Sequence, residues 1–176
     1  MSARYRFSAA KAFHAIHWMT RQGRPVDLHT ALKAAYFADR GHLNEHLQPI
    51  FGATYKAMKS GPVPLEIYEM IKGEALWLSE LHRVELPWRL DGFHLRPHGN
   101  EPLDMDEFAE SERQHLESGF SRSTAMTFDA RTAATHGADW QAANGGIIRY
   151  EDMVDERPDR PAVIEYLQDT ARHMRL

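Results

Sequence analysis

The segment from Leu32 to Pro64 constrains the fold of this chain more than any other part of the sequence. It reads LKAAYFADRGHLNEHLQPIFGATYKAMKSGPVP and begins with small and apolar residues at helical spacing. Pro49 prevents that helix from simply continuing. At the far end, Pro62 and Pro64 each fix a backbone angle and restrict the residue before them. The segment therefore predicts a helix, then a short extended or turning stretch, and then a stiff corner at Gly61–Pro64.

Apolar residues also recur at helical spacing elsewhere in the chain. Ser8 and Asp27 are suitable caps for the first two helices, and Asp104 and Glu107 have the spacing of a capping box. The small residues of the second helix imply a close approach to another helix. The expected helices cover about Ser8–Gln22, a helix that starts at Leu28 and weakens near Gly41, Leu65–Lys72, Met105–Ser118, Thr124–Thr135 and Arg160–Arg175.

One strong β signal accompanies these helices. The segment Val84–Pro97 has apolar residues on either side of Asp91-Gly92, a dipeptide that favours tight hairpin turns. Ile147–Tyr150 could add a short strand. Together the patterns predict a mainly α fold, with residues 1–176 in one compact domain of five or six helices and a small antiparallel β-hairpin.

Composition narrows the functional classes. The chain has 176 residues, 43% of them hydrophobic and 26% charged, which is typical of a globular protein with a substantial core. No apolar run approaches the roughly 20 residues of a membrane helix, so we expect no membrane partner and no secretory signal. The absence of cysteine excludes disulfides and thiolate zinc sites and fits a cytoplasmic location. A net charge of −4, with no clear basic recognition helix, counts against nucleic-acid binding and transcriptional autoregulation.

Enzymatic motifs are sparse. The sequence lacks a G-x-S-x-G elbow, a P-loop and a dinucleotide glycine fingerprint, so we expect no cofactor. His42, Glu45 and His46 match the H-x-x-E-H spacing of some zinc peptidases, and a small metal-dependent hydrolase is one alternative. The other interpretation is a solvated helix end, which Gly41 and Pro49 favour because they bracket the segment. On that interpretation no transition metal binds at His42 and His46.

The ordered motif in and around Leu32–Pro64 resembles the signature of the Panacea domain, or SocA-like antitoxin, family. Ile147, Tyr150, Glu151 and Asp152 are similar to the closing step of that family, whereas Gln48 departs from its pattern. The residues that carry the main resemblance are Lys33, Tyr36, Ala38, Asp39, Leu43, Pro49, Ile50, Tyr55, Ala57, Met58, Gly61, Pro62, Val63 and Pro64.

The resemblance implies a phage- or prophage-associated antitoxin, which binds rather than catalyses. Its partner would be a toxin protein encoded nearby, either masked directly or delivered to a protease by an adapter mechanism. Homo-oligomerisation is left open. The expected partner-binding residues are Tyr36, Asp39, Lys59, Gly61, Pro62, His136 and Trp140.

Structural roles are the alternative for several of these residues. Asp39 and Lys59 could form an ion pair that only fixes the corner. His136 could cap a helix end, while Trp140 packs on the helix that carries Tyr36.

Overall fold

The computed structural model describes residues 2–176, which contain eight α-helices and two small antiparallel sheets. The predicted mainly α class with a minor antiparallel β element is confirmed. Two helices of six residues each, α4 and α7, add to the longer ones that the sequence pattern indicates. The helices are α1 Ala9–Thr20, α2 Leu28–His46, α3 Leu65–Ile71, α4 Ala75–Glu80, α5 Glu110–Thr124, α6 Phe128–Thr135, α7 Ala138–Ala143 and α8 Arg160–Thr170, with 3-10 turns at Tyr150–Met153 and Ala171–His173.

Helix α2 lies at the centre of the molecule. Asp27 caps its start by accepting a hydrogen bond from the Thr30 amide at 2.7 Å, as predicted. The predicted close approach is also confirmed, because α5 packs along α2 with Gly119 at the contact. A Cβ at Gly119 would lie 2.8 Å from the carbonyl oxygen of Ala34 and from the amide nitrogen of Ala38. The small residues of both helices therefore let their backbones pack closely.

Helix α5 begins five residues later than the sequence pattern predicts. The Asp104 carboxylate accepts from the Asp106 amide in a local turn, at 2.9 Å, and starts no helix. Instead, Glu112 accepts from the Ala109 amide at 2.8 Å. The same buried carboxylate pairs with Lys11 of α1, with 2.6 Å between Nζ and Oε2. This tertiary ion pair sets the start of the helix, and a local pattern cannot reveal it.

The two sheets are small. The predicted hairpin at Asp91-Gly92 is confirmed, and a two-residue strand at Val26–Asp27 extends it. The predicted strand at Ile147–Tyr150 is reduced to one bridge, between Ile147 and Lys56. The strands are β1 Val26–Asp27, β2 Tyr55–Met58, β3 Gly61–Pro64, β4 Trp88–Asp91 and β5 His94–Pro97; the sheet orders are β1-β5-β4 and β2-β3.

The core surrounds α2 and the loop that follows it. The largest fully buried apolar side chains of this core come from both halves of the chain, and they include Ile16, Met19, Leu43, Ile50, Phe51, Tyr55, Met70, Ile71, Leu116, Met153 and Leu167.

Within residues 2–176, no helix combines the length and the apolar composition that crossing a membrane requires.

Candidate functional site

The Gly61–Pro64 segment is the second strand of a tight hairpin rather than a corner. Strand β3 pairs with β2 so that Met58 faces Gly61, and Lys59 and Ser60 form the turn. Gly61 has a φ of +106°, a conformation that favours glycine. A Cβ at this position would lie 2.4 Å from Thr135 Oγ1. The prolines are tolerated because β3 is an edge strand.

Two basic side chains of α2 hold this hairpin against the helix. Lys33 Nζ donates a hydrogen bond to the Pro62 carbonyl oxygen at 2.8 Å. His29 accepts at Nδ1 from Arg131 and therefore donates from Nε2 to the Ser60 carbonyl oxygen, at 3.2 Å. Burial, and then the charge of Arg131, lower the pKa of the Lys33 ammonium to about 7. Burial also lowers the pKa of His29.

Asp39 is a fully buried carboxylate that fixes the chain as it enters the hairpin. Its Oδ1 accepts from the amides of Ile50 and Phe51 at 2.6 and 2.9 Å, and its Oδ2 accepts from the Tyr55 hydroxyl at 2.8 Å. Burial raises the pKa of Asp39 to about 6, although these three hydrogen bonds act in the opposite direction. The ion pair considered for Asp39 and Lys59 is not formed, because the Asp39 oxygens face these donors while Lys59 is exposed in the turn.

A second clamp on the hairpin comes from the segment after α6. Trp140 Nε1 donates to the Met58 carbonyl oxygen at 2.8 Å, and His136 stacks on Trp140 with ring centroids 3.8 Å apart. Asp139 is buried and accepts a hydrogen bond from the Tyr36 hydroxyl. Burial and the Asp139 carboxylate raise the pKa of Tyr36. The structure thus links Tyr36 to this segment through Asp139 and links the hairpin to it through Trp140.

The seven residues predicted to contact a partner fall into two groups by exposure. The buried ones shape the hairpin from within and present little surface. The others are accessible: one is exposed and two are partly exposed. The buried group is Tyr36, Asp39, Gly61 and Pro62, and the accessible group is Lys59, His136 and Trp140.

An apolar groove of about 610 Å³ lies beside the hairpin, between α2, β3 and the turn of β4–β5. Three of its lining side chains are large hydrophobics that the fold leaves exposed. They are Met58 with 36% of its surface exposed, Phe93 with 76% and Phe128 with 50%. They come from β2, the β4–β5 turn and the start of α6, so only the tertiary structure brings them together. Exposed apolar side chains gathered at a groove make it a candidate interaction surface.

Sequence patterns did not single out these three residues as site residues. One signal was present, because Phe93 directly follows the Asp91-Gly92 turn and Phe128 directly follows the cap of α6. A large apolar residue beside a turn or a helix cap is easily left exposed, as both of these are. The pattern cannot show, however, that the two side chains line the same groove.

The H-x-x-E-H segment forms the end of α2, which is helical through His46. His42 and His46 share a face, with ring centroids 4.6 Å apart. His42 is buried, its Nδ1 lies 2.7 Å from the Gln48 carbonyl oxygen, and its Nε2 lies 3.0 Å from Ser111 Oγ. Both ring nitrogens are engaged, so the structure does not support a hydrolase in which His42 shares a metal with Glu45 and His46.

The chain matches a known protein family over more than half of its length. The model of the family described as antitoxin SocA-like, Panacea domain, matches residues 32–141, which include most of α2, the β2–β3 hairpin, α6 and Trp140. No curated protein and no solved structure matches the chain significantly.

Proposed function

Since this chain belongs to the SocA-like antitoxin family with a Panacea domain, we propose that it is an antitoxin that neutralises a cognate toxin by binding it directly. The toxin is a protein encoded by a neighbouring gene, and the complex forms in the cytoplasm. The chain acts by stoichiometric binding and not as an enzyme.

The groove beside the β2–β3 hairpin is the observation that supports this proposal most strongly. Met58, Phe93 and Phe128 supply exposed apolar surface around a concave site. Protein interfaces concentrate their binding energy on a few aromatic and apolar anchors that lose contact with water in the complex. A segment of the toxin with apolar side chains fits this groove.

Preorganisation of the hairpin favours tight binding. The hairpin is fixed on α2 by Lys33 and His29, and Trp140 donates to the Met58 carbonyl oxygen in the same hairpin. Pro62 adds a fixed backbone angle. A surface that is already ordered loses little conformational entropy when a partner docks, so its contacts translate efficiently into affinity.

Charge at the groove indicates the polarity of the toxin segment. Lys59 is an exposed cation in the lining of the groove, and Asp27 is the acidic residue in that lining. Asp27 is already engaged, because it caps α2 and lies 3.8 Å from the Arg131 guanidinium. We therefore expect the bound segment to carry at least one carboxylate beside its apolar side chains.

The test is to co-express this chain with the product of the adjacent gene, purify the complex and measure affinity and neutralisation. Phe93→Ser and Phe128→Ser should each weaken binding by about 30-fold, because loss of an anchor typically costs about 2 kcal/mol. Tyr166→Ser is the matched control, since Tyr166 is an exposed aromatic residue of α8 that does not line the groove. It should leave binding unchanged.

Two outcomes would count against the proposal at different levels. If both groove variants stay folded and neutralise at the wild-type dose, the toxin binds another surface. If no neighbouring gene product binds, the proposal that this chain is an antitoxin is wrong.

An assay of toxin activity with purified components and no protease separates the two mechanisms. Masking inhibits the toxin at once, whereas delivery to a protease does not.

A further inference from the structure

A second cluster of polar side chains lies at the opposite end of α2 from the groove. Glu45 and His46 belong to the last turn of α2, and His115 lies on α5. One potential ligand atom from each of the three side chains falls within 4.8 Å of the others. We propose that Glu45, His46 and His115 bind one divalent transition-metal ion, with Zn²⁺ as the best match. This site is independent of the proposed toxin-binding groove.

The ligand chemistry points to zinc. Two imidazoles and one carboxylate form a borderline donor set, which suits Zn²⁺ better than Mg²⁺ or Ca²⁺, ions that prefer oxygen ligands. The expectation that no transition metal binds at His42 and His46 rested on the bracketing of this segment by Gly41 and Pro49, but α2 is regular through His46. His42 is not needed as a ligand, because His115 takes its place from the neighbouring helix.

The three candidate ligand atoms lie within 4.8 Å of one another, so the side chains have to move by up to about 1.4 Å to reach zinc geometry. Zinc lies about 2.0–2.2 Å from nitrogen and oxygen ligands, so ligand atoms of a tetrahedral site are roughly 3.4 Å apart. His46 Nε2 already lies 3.5 Å from Glu45 Oε1. His115 Nε2 lies 2.7 Å from Glu45 Oε2, a hydrogen bond that has to open slightly. The Glu45 side chain is 63% exposed and therefore free to move by that amount.

The surroundings orient both histidine rings. His42 packs on His46 with ring centroids 4.6 Å apart and meets His115 edge-on at 5.4 Å. His42 is itself fixed by its contacts with Gln48 and Ser111. Outer groups that hold ligand rings in place contribute substantially to metal affinity.

The arrangement also places the metal where it would join two helices. His46 ends α2, and His115 lies within α5, the helix that packs along it. A bound ion would therefore crosslink the end of α2 to α5 and stabilise the fold by mass action. Leu32 in the groove and His46 are 14 residues apart on one helix (46 − 32), which corresponds to about 21 Å. Metal binding and toxin binding should accordingly be separable.

The experiment uses the full chain without an affinity tag, titrated with Zn²⁺ by calorimetry and followed by thermal unfolding. We expect one Zn²⁺ per chain and a higher melting temperature. His46→Gln and His115→Gln should each weaken Zn²⁺ binding by about 100-fold or more, because losing a ligand costs more than the 10- to 100-fold loss that outer groups cause. Substitution with Co²⁺ should give the intense visible absorption of a tetrahedral nitrogen and oxygen site.

His94→Gln is the matched control, because His94 is an exposed histidine on β5 outside the cluster. It should bind Zn²⁺ as the wild type does. The proposal is overturned if the wild type binds no Zn²⁺ at micromolar concentration. It is equally overturned if His46→Gln and His115→Gln, folded by circular dichroism, bind like the wild type, or if His94→Gln loses as much affinity as they do.

Discussion

Lys33 and Asp39 are two buried charged side chains of α2, and each holds a different part of the chain that follows the helix. Lys33 contacts the carbonyl oxygen of Pro62 in β3, and Asp39 binds the amides of Ile50 and Phe51. A buried charge is costly unless hydrogen bonds compensate it, and the hydrogen bonds of both residues offset part of that cost while they fix the geometry of the following segment. Burial shifts their pKa values in opposite directions, down to about 7 for Lys33 and up to about 6 for Asp39.

The shifted pKa of Lys33 predicts how stability depends on pH. The pKa falls from 10.5, its ordinary value and that expected in the unfolded chain, to about 7 in the folded protein. Between these values the unfolded chain binds more protons, so the free energy of unfolding should rise with pH. We expect a rise from pH 7 to pH 9 with a slope approaching about 1.4 kcal/mol per pH unit. Urea unfolding at several pH values measures this slope.

Lys33→Met separates this effect from other titrations. The variant has no ammonium to discharge, so its free energy of unfolding should be nearly flat between pH 7 and pH 9. The same slope in Lys33→Met and in the wild type would show that another group is responsible. Tyrosine ionisation does not interfere in this range, because its ordinary pKa is about 10.

The β2–β3 hairpin depends on Gly61 for its close contact with α6 and α2. Gly61→Ala should lower the free energy of unfolding by about 2–4 kcal/mol, because the new Cβ combines backbone strain with steric overlap. That Cβ would lie 2.4 Å from Thr135 Oγ1 and 2.8 Å from Lys33 Cε. Gly92→Ala is the matched control: Gly92 also has positive φ, +62°, but no neighbouring atom lies within 4 Å of the added Cβ. It should cost only about 1–2 kcal/mol.

Urea denaturation of both glycine variants measures these changes. A cost at Gly61 no larger than the cost at Gly92 would mean that the hairpin moves away from Thr135 without penalty. In that case the preorganisation proposed for the hairpin would also be wrong.

Local signals predicted the elements that local chemistry determines. Ser8 caps α1 through a hydrogen bond from the Lys11 amide, and the Asp91-Gly92 turn forms as expected. The predicted start of α5 was wrong because the actual start depends on the buried ion pair between Glu112 and Lys11, a residue distant in sequence. The groove and the Glu45, His46 and His115 cluster were missed for the same reason, since each is assembled from separate elements. Sequence spacing reports neighbours within an element, whereas these sites depend on packing between elements.

At the scale of the whole molecule, the hydrophobic core includes residues that lie outside the segment matched by the family model. The match covers residues 32–141, but buried apolar side chains come from both sides of it. Phe13 and Ile16 of α1 are buried, as is Leu167 of α8. The two flanks also meet, because the Ala3 amide donates to the Glu151 carboxylate at 2.7 Å.

These contacts predict that residues 1–176 fold as one cooperative unit and that the family-matched fragment 32–141 does not fold alone. Removing the flanks would expose the core face of α2 and remove several fully buried side chains, each contributing about 1.5–3 kcal/mol. Summed over the buried side chains of both flanks, that loss is comparable to the roughly 5–15 kcal/mol by which domains are typically stable. Circular dichroism and urea unfolding of the fragment should show no cooperative transition, whereas the full chain should show one. A fragment that unfolds cooperatively at the same urea concentration as the full chain would show that the flanks are dispensable to the fold.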